Sequence, residues 1–440
     1  LGVMTTTMLQ PNSSLDALLE RLSPEPHLRG KEFEHAAKWF LETDPAYASE
    51  LREVWLWDDW PGRWGQDIGI DLVAETQEGK LWAIQVKCYD PESTVPKSEI
   101  DSFLAASSRP EFSHRLLIST GQITKNSESN LKDSDKSTAF LLYQGLTESP
   151  VDWLAYLYGS RPALPDKKTP RPHQQKAIDD VIDGFSDNDR GRLIMACGTG
   201  KTLVGVWVAE KLKSARTLVL VPSLSLVTQV SLEWQTNSTE PLRALFVCSD
   251  QKVNDNFVSS TAELGRAVTT DHSDIQRFMS GDGASVVFST YQSSPEIAAA
   301  QASGAPAFDL VIADEAHHCA GVDSQFSTVL DADCLKASRR LFMTATPRYL
   351  SRRIKDSANQ LDIQVSSMDD LEVFGPAMHV LTFGKAIEDG LLSDYQVLIL
   401  GITDTEIAEL THDRRFVEVF GPDLRTDAGS LACQVGMIKA

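Results

Sequence analysis

Two sets of residues in this sequence have types and spacing suited to phosphate chemistry. The first is Met195-Ala196-Cys197-Gly198-Thr199-Gly200-Lys201-Thr202, answered downstream by Asp314-Glu315-Ala316-His317. Glycines let a backbone curl until successive N–H groups converge, so Gly198, Thr199 and Gly200 suit a polyphosphate. Lys201 would meet the β/γ-phosphates as a point charge, Thr202 would place its hydroxyl on Mg2+, and Asp314 and Glu315 would supply carboxylates for a metal ion and an attacking water. The second set is Asp71, Gln85 and Lys87. An acid, an amide carbonyl and an ammonium at one place suit Mg2+-dependent phosphodiester hydrolysis. Asp71 and Gln85 would hold the hard cation, and Lys87 would orient water or stabilise the charge building on phosphate.

Such residues need elements that bring them together. Leu193-Ile194-Met195 reads as a strand and 203–212 as a helix, so the glycine loop turns between them, although Met195 stands where the motif prefers Gly or Ala. Leu310-Val311-Ile312-Ala313 is a continuous apolar run ending on Asp314. Further short apolar runs at 217–221, 244–248, 286–289 and 341–343 alternate with helix-length segments, the pattern of a parallel sheet covered on both faces. Ligands gather at the carboxyl ends of such strands, which would set Asp314 near the glycine loop.

For the second set, 67–74 reads as a strand, Thr76 to Lys80 as a turn and Leu81 to Lys87 as the partner strand. Period-two alternation puts Trp82, Ile84 and Val86 on one face and Ala83, Gln85 and Lys87 on the other, with Asp71 within reach across the hairpin. A short helix over 13–22 and a helix bearing Phe33, Ala36, Ala37, Phe40 and Leu41 on its apolar face precede the hairpin. Glu34 sits on the border of that face. A helix over 98–107 and a strand over 115–120 follow the hairpin.

The chain has 440 residues, enough for several full cores. With 41 Lys+Arg against 62 Asp+Glu, the formal charge is −21, so any contact with DNA has to come from local basic clusters. The densest is Arg339, Arg340, Arg348, Arg352, Arg353 and Lys355; it reads equally well as a phosphate-contacting patch or an exposed charged loop. Cysteines at 88, 197, 248, 319, 334 and 433 lack metal-ligand spacing and read as free thiols of a reducing cytosol. No apolar run approaches membrane-spanning length.

Gly30-x-x-Phe33-Glu34, Asp67-x-Gly69-Ile70-Asp71-Leu72 and Gln85-Val86-Lys87-Cys88-Tyr89 together resemble the Mrr-type branch of the PD-(D/E)xK nucleases. That resemblance implies an α-β-β-β-α-β core with Asp71 as metal-binding aspartate, Gln85 replacing the usual second acid, Lys87 as catalytic lysine and Glu34 as accessory acid. The missing charge at Gln85 implies weaker Mg2+ affinity than a two-carboxylate site. Arg171-Pro172-His173-Gln174-Gln175 resembles the Q motif of superfamily 2 helicases, in which Gln174 would read adenine through its two-sided amide. His317 would couple the Asp314-Glu315 site to Thr344-Ala345-Thr346-Pro347, which resembles helicase motif III. Segments 221–229 and 289–293 resemble motifs whose hydroxyls and N–H groups contact phosphates of the tracked strand.

The fold class expected is therefore α/β: an Mrr-like nuclease domain, then a parallel-sheet RecA-like ATPase lobe and the start of a second lobe. The boundaries are an extension over 1–26, the nuclease over 27–157, a proline-rich linker over 158–170, the first lobe over 171–360, and a bridge into a truncated second lobe over 361–440. This order closely resembles the N-terminal portion of type ISP restriction-modification enzymes. Carried over, the resemblance implies double-stranded DNA and ATP as partners, ATP and Mg2+ as cofactors, a prokaryotic cytoplasm, and continuation into coupler, methyltransferase and target-recognition domains.

No glutamine-and-arginine-rich motif VI and no Asn-Pro-Pro-Tyr signature occurs in the sequence; its end at Met437-Ile438-Lys439-Ala440 reads as a cut within something longer, and an arginine finger supplied in trans is the alternative reading. Leu1 is not an ordinary initiator, so two readings stand: translation begins at Met4 or Met8, or the first residue reflects an alternative start. Two functions stay open at this point. One is a translocating endonuclease; the other is a nucleotide-gated DNA-binding or repair module whose N-terminal domain grips DNA without cutting it.

Overall fold

The structure is a computed structural model that describes residues 14–65, 69–124, 136–160, 166–240, 242–254, 257–259, 261–322, 327–351 and 365–394. Residues up to Ala386 form one compact unit and those from Ile387 onward a second. Asp67, the linker residues 161–165, Arg352, Arg353, Lys355 and Cys433 lie outside the described residues.

The N-terminal domain opens with α1 (Ser14–Leu19) and α2 (Pro26–Thr43). Glu25 starts α2: its carboxylate accepts from the N–H groups of His27 and Leu28, and Pro26 takes the first helical position, where its missing donor goes unneeded. α2 buries Phe33, Ala36, Ala37, Phe40 and Leu41. Then come α3 (Pro45–Glu50), β1 (Leu51–Leu56), β2 (Leu72–Thr76), β3 (Leu81–Lys87), α4 (Lys97–Ala106), β4 (Phe112–Ser119) and β5 (Thr138–Leu141). The sheet order is β1-β2-β3-β4-β5, with β1, β2 and β3 antiparallel in turn and β4 and β5 added in parallel.

The register of the hairpin decides what each face carries. Leu72 opposes Ile84 and Val73 opposes Ala83. Leu72, Ala74, Trp82, Ile84 and Val86 pack with Phe33, Ala36 and Phe40 of α2, whereas Val73 and Ala83 pack with Phe103 and Ala106 of α4. Residues directly opposite in an antiparallel pair share a face, so Asp71 and Gln85 both belong to the side covered by α4.

The second domain is built on a seven-stranded sheet of order β16-β6-β14-β12-β7-β11-β8, in which every pairing is parallel. Its strands are β6 (Arg190–Met195), β7 (Arg216–Val221), β8 (Arg243–Val247), β11 (Ser285–Thr290), β12 (Leu310–Ala313), β14 (Arg340–Thr344) and β16 (Ala377–Leu381). Two small antiparallel pairs sit outside it, β9 (Gln251–Asn254) with β10 (Phe257–Ser259) and β13 (Gly321–Val322) with β15 (Val365–Ser366). All four residues of β12 are buried, as a strand covered on both faces requires.

Three features depart from the sequence reading. β16 pairs with β6, so residues 377–381 complete the first lobe instead of bridging to another; a short strand after a long interval carries too little periodicity to reveal its partner. Lys167 Nζ donates to the carbonyls of Ser238 and Thr239 at 2.6 and 2.9 Å, capping the negative end of the Leu224–Asn237 helix. Finally, Arg340 belongs to the interior: it is 1 % exposed and its guanidinium donates to the carbonyls of Val329, Leu335 and Ala337. Arg348 likewise donates to Ala320 O at 3.0 Å.

The two domains meet inside the same compact unit. Tyr47 donates its hydroxyl to Gly265 O at 2.6 Å, and the Arg266 guanidinium lies 4.0 Å over the Tyr47 ring and 3.5 Å from Glu50.

Candidate active sites

The glycine loop lies between β6 and the helix Lys201–Lys211. Gly198 and Gly200 have φ of 80° and 85°, a region that β-carbon-bearing residues rarely adopt. Gly200 has a second constraint, because a Cβ there would fall 2.2 Å from Gln174 Nε2. Thr199 turns inward and donates its hydroxyl to Ala196 O at 2.6 Å, leaving the loop to open onto the N-terminus of the helix. Lys201 is the first residue of that helix and is 8 % exposed; Thr202 follows it, half-buried.

β12 delivers the acids to the same sheet edge. Lys201 Nζ lies 3.8 Å from Glu315 Oε1. Asp314 is fixed by its own N–H donating to Leu220 O at 2.8 Å and by its Oδ1 accepting from Glu315 N at 2.9 Å. Burial pushes the Asp314 carboxyl up to about 6, the Glu315 charge adds to that shift, and Lys201 offsets part of it. Glu315 holds φ of 49°, a strained value for a residue with a side chain, which turns its carboxylate toward Lys201. His317 Nδ1 lies 3.0 Å from Thr344 Oγ1 and 3.3 Å from Glu315 Oε2, so it touches both β14 and the acid pair.

Gln174 stands differently from its sequence reading. Its Oε1 accepts from Arg171 N at 2.9 Å and its Nε2 donates to Thr199 O at 3.1 Å. Both ends of the amide are thus engaged by backbone, one at the start of the Pro172–Asp187 helix and one in the glycine loop. His173 reaches the same Thr199 carbonyl at 3.1 Å. The hydroxyls of Ser289 and Thr290 also bond within the fold, to Val247 O at 2.6 Å and to Ser293 Oγ at 3.2 Å.

The second site lies under α4. Asp71, 6 % exposed, accepts the Val86 N–H on Oδ2 at 2.7 Å, and its own N–H donates to Ile84 O at 3.0 Å. Lys87 Nζ lies 3.9 Å from that same Oδ2. Gln85 is 1 % exposed, and among the described residues its Oε1 has no hydrogen-bond partner. A buried amide oxygen without a donor costs about 1–3 kcal/mol, and a hard cation beside Asp71 would relieve it. The chemistry of Asp71 and Gln85 therefore fits a divalent metal, although no cluster of three or more His, Cys, Asp or Glu ligands occurs among the described residues.

Glu34 is not brought to this trio by contact. It lies on α2, which covers the other face of the sheet, and its partner is Lys31 at 2.9 Å. The acid that does reach Lys87 is Glu99 of α4, at 3.5 Å, and the Tyr89 hydroxyl donates to its other oxygen at 2.7 Å. Sequence reasoning passed over Glu99. Its only signal is its place in the first turn of the helix that follows the Gln85-Val86-Lys87-Cys88-Tyr89 run.

Residues 42–162 match the family described as "Restriction endonuclease" (Mrr_cat_2), and residues 167–349 match "Type III restriction enzyme, res subunit" (ResIII). The chain pairs a restriction-endonuclease domain with a helicase-like domain. The structure titled "ATP-dependent Type ISP restriction-modification enzyme LlaBIII bound to DNA" is similar over 94 % of this chain and 28 % of that one, with a TM-score of 0.74 and 29 % identity. A second type ISP structure, a nuclease-deletion mutant of LlaGI with a DNA substrate mimic, is 29 % identical over 57 % of this chain and 22 % of that one, with a TM-score of 0.41. The "Probable helicase A859L" of African swine fever virus is 29 % identical over 230 residues, 52 % of this chain and 24 % of that protein. The chain thus spans about a quarter of the length of the relatives it matches. The order of the two domains and the LlaBIII match agree with the type ISP resemblance, and the mixed and parallel sheets agree with the expected α/β class. No helix among the described residues is long and apolar enough to cross a membrane.

Proposed function

We propose that this chain is the nuclease-motor part of a type ISP restriction-modification enzyme, using ATP hydrolysis to move along duplex DNA and cutting the DNA with Mg2+. The observation that carries this reading is that one chain sets a lysine against a carboxylate at two separate sheet edges: Lys201 with Glu315 at 3.8 Å and Lys87 with Asp71 at 3.9 Å. Gly198, Thr199 and Gly200 would cradle the phosphates, Lys201 would bind their charge, and Thr202 and Asp314 would hold Mg2+. Glu315 would orient and deprotonate the attacking water, and His317 would pass the state of that site to Thr344. Gln174 would fix the loop in its phosphate-ready curl, and adenine recognition would require it to release Thr199.

In the nuclease site, Asp71 and Gln85 would hold Mg2+, which when bound polarises the scissile phosphate and acidifies a water. Lys87 would place its ammonium where charge develops on phosphate. Glu34 would serve as an accessory acid only if α2 turned it toward the trio. Duplex DNA would be held through phosphates without reading of sequence.

The test is a pair of variants in the full chain. Lys201→Ala is expected to lose DNA-stimulated ATP hydrolysis, and Lys87→Ala to lose DNA cleavage while keeping its ATPase. ATP turnover in Lys201→Ala equal to wild type, or cleavage by Lys87→Ala at the wild-type rate, would refute the corresponding half.

A further inference from the structure

The Asp71, Gln85 and Lys87 trio has a charge deficit. One carboxylate, one neutral amide and one ammonium sum to no net charge, a poor setting for a divalent cation, and the ammonium competes for the oxygen a metal would take. Lys87 Nζ, however, lies closer to Glu99 Oε2, at 3.5 Å, than to Asp71 Oδ2, at 3.9 Å. Glu99 is itself anchored, because Tyr89 donates its hydroxyl to Oε1 at 2.7 Å. Tyr89 in turn is pinned to the end of β4: its N–H donates to Thr120 Oγ1 at 2.8 Å, and the Thr120 hydroxyl donates to Tyr89 O at 2.6 Å. The chain Thr120, Tyr89, Glu99, Lys87 thus runs along one edge of the site. The orphaned Gln85 Oε1 belongs to the same side of the sheet.

We propose that Glu99 is a positioning residue of the nuclease site, drawing the Lys87 ammonium off Asp71 so that Asp71 and Gln85 stay open to a divalent cation. The inference rests on the endonuclease reading above. Glu99 restores the negative charge that Gln85 lacks, and it does so from α4 instead of from the hairpin. Remove that carboxylate and the ammonium has Asp71 as its remaining partner in the site.

The test uses the full chain without nucleotide and reads Mn2+ uptake by electron paramagnetic resonance, with Asp71→Ala as the blank. Glu99→Gln is expected to raise the Mn2+ dissociation constant about tenfold, the usual scale for losing a partner that orients metal ligands. Tyr89→Phe, which deletes one half-buried hydroxyl and leaves the packing in place, should raise it about threefold. In a Lys87→Ala background the effect of Glu99→Gln should fall below about twofold, since no ammonium is left to hold. Mn2+ affinity unchanged in both Glu99→Gln and Tyr89→Phe overturns the proposal. So does an undiminished effect in the Lys87→Ala background, which would make Glu99 act on the cation directly. Cleavage retained by Lys87→Ala would overturn the endonuclease reading instead, and wild-type protein that takes up no Mn2+ beyond the blank would overturn both.

Discussion

The two sheet edges solve one electrostatic problem by different construction. In the helicase-like lobe every strand runs the same way, so β6, β12 and β14 deliver the glycine loop, the acid pair and Thr344 to one edge. In the nuclease domain the site straddles an antiparallel hairpin, with Asp71 and Gln85 facing each other across β2 and β3. At the parallel edge Asp314 is pushed up to about 6, first by its burial and then by the neighbouring Glu315 charge. The hairpin edge spaces its charges out, with Asp71 stabilised by the Val86 N–H and Lys87 shared between two acids. Burying two neighbouring carboxylates at one edge costs the empty fold stability, which a bound cation would return. At the hairpin edge the unsatisfied buried atoms among the described residues include Gln85 Oε1 and Glu99 Oε2.

The hardest blow to this contrast would come from Glu315→Gln. It keeps the size of the side chain and the strained backbone but removes the proposed base, so ATP turnover should fall by about 10³-fold or more. DNA cleavage not driven by ATP, where measurable, should stay at the wild-type rate. A loss below about tenfold would mean that Glu315 only balances Lys201. Next in size, Lys87→Ala should lower cleavage by about 10²–10³-fold, the loss typical of one preorganised charge at a transition state, while ATP turnover stays within about twofold. Parallel loss of both activities would show that the two edges are not independent.

Asp314→Asn sharpens the comparison through stability. The ordinary carboxyl value is 3.8, and the folded protein raises it to about 6. Between those values the folded state holds a proton that the unfolded chain has released, so stability is fully present below about pH 4 and is lost as pH rises through 6. Asparagine never pays that penalty and can still accept from Glu315 N. Nucleotide-free Asp314→Asn should therefore exceed wild type by up to about 3 kcal/mol at pH 8, with the gap shrinking toward pH 5. Thermal melts across that range test it. A variant less stable than wild type at pH 8 would mean that the crowded acids are held by more than Lys201 compensates.

The same difference in construction explains what was legible beforehand. Gly198, Gly200, Asp314 and Glu315 sit in loops that directly follow strands, and Lys201 opens the helix after the first of these loops, so residue type and spacing alone pointed to them. The face shared by Asp71, Gln85 and Lys87 followed from alternation, and the structure shows those residues on the side covered by α4. Glu99 was hidden because its relation to Lys87 depends on the path of α4, which no local pattern encodes. Glu34 misled because a border position on an amphipathic helix does not say which sheet face the helix will cover. Arg340 misled in another way: a run of arginines reads as surface, yet its guanidinium ties together three carbonyls in the interior. β16 was illegible because strand order in a parallel sheet is set by crossovers and not by neighbouring sequence.

Gln174 gives the smallest effect and the finest discrimination. An adenine-reading amide and a loop-holding amide both predict weaker ATP binding in Gln174→Ala, so affinity for ATP alone cannot separate them. They differ in what happens to a ligand with no base. With Oε1 on Arg171 N and Nε2 on Thr199 O, the amide bonds the loop directly, and losing it frees the curl around Gly200. Each of these buried bonds contributes about 1 kcal/mol, so Gln174→Ala should weaken tripolyphosphate and ATP alike, by about tenfold. Titration calorimetry with both ligands decides the matter. If ATP alone weakens while tripolyphosphate binds as before, the amide leaves Thr199 when nucleotide arrives and spends its bonds on the base. The clamp seen here would then be a resting position that the nucleotide displaces.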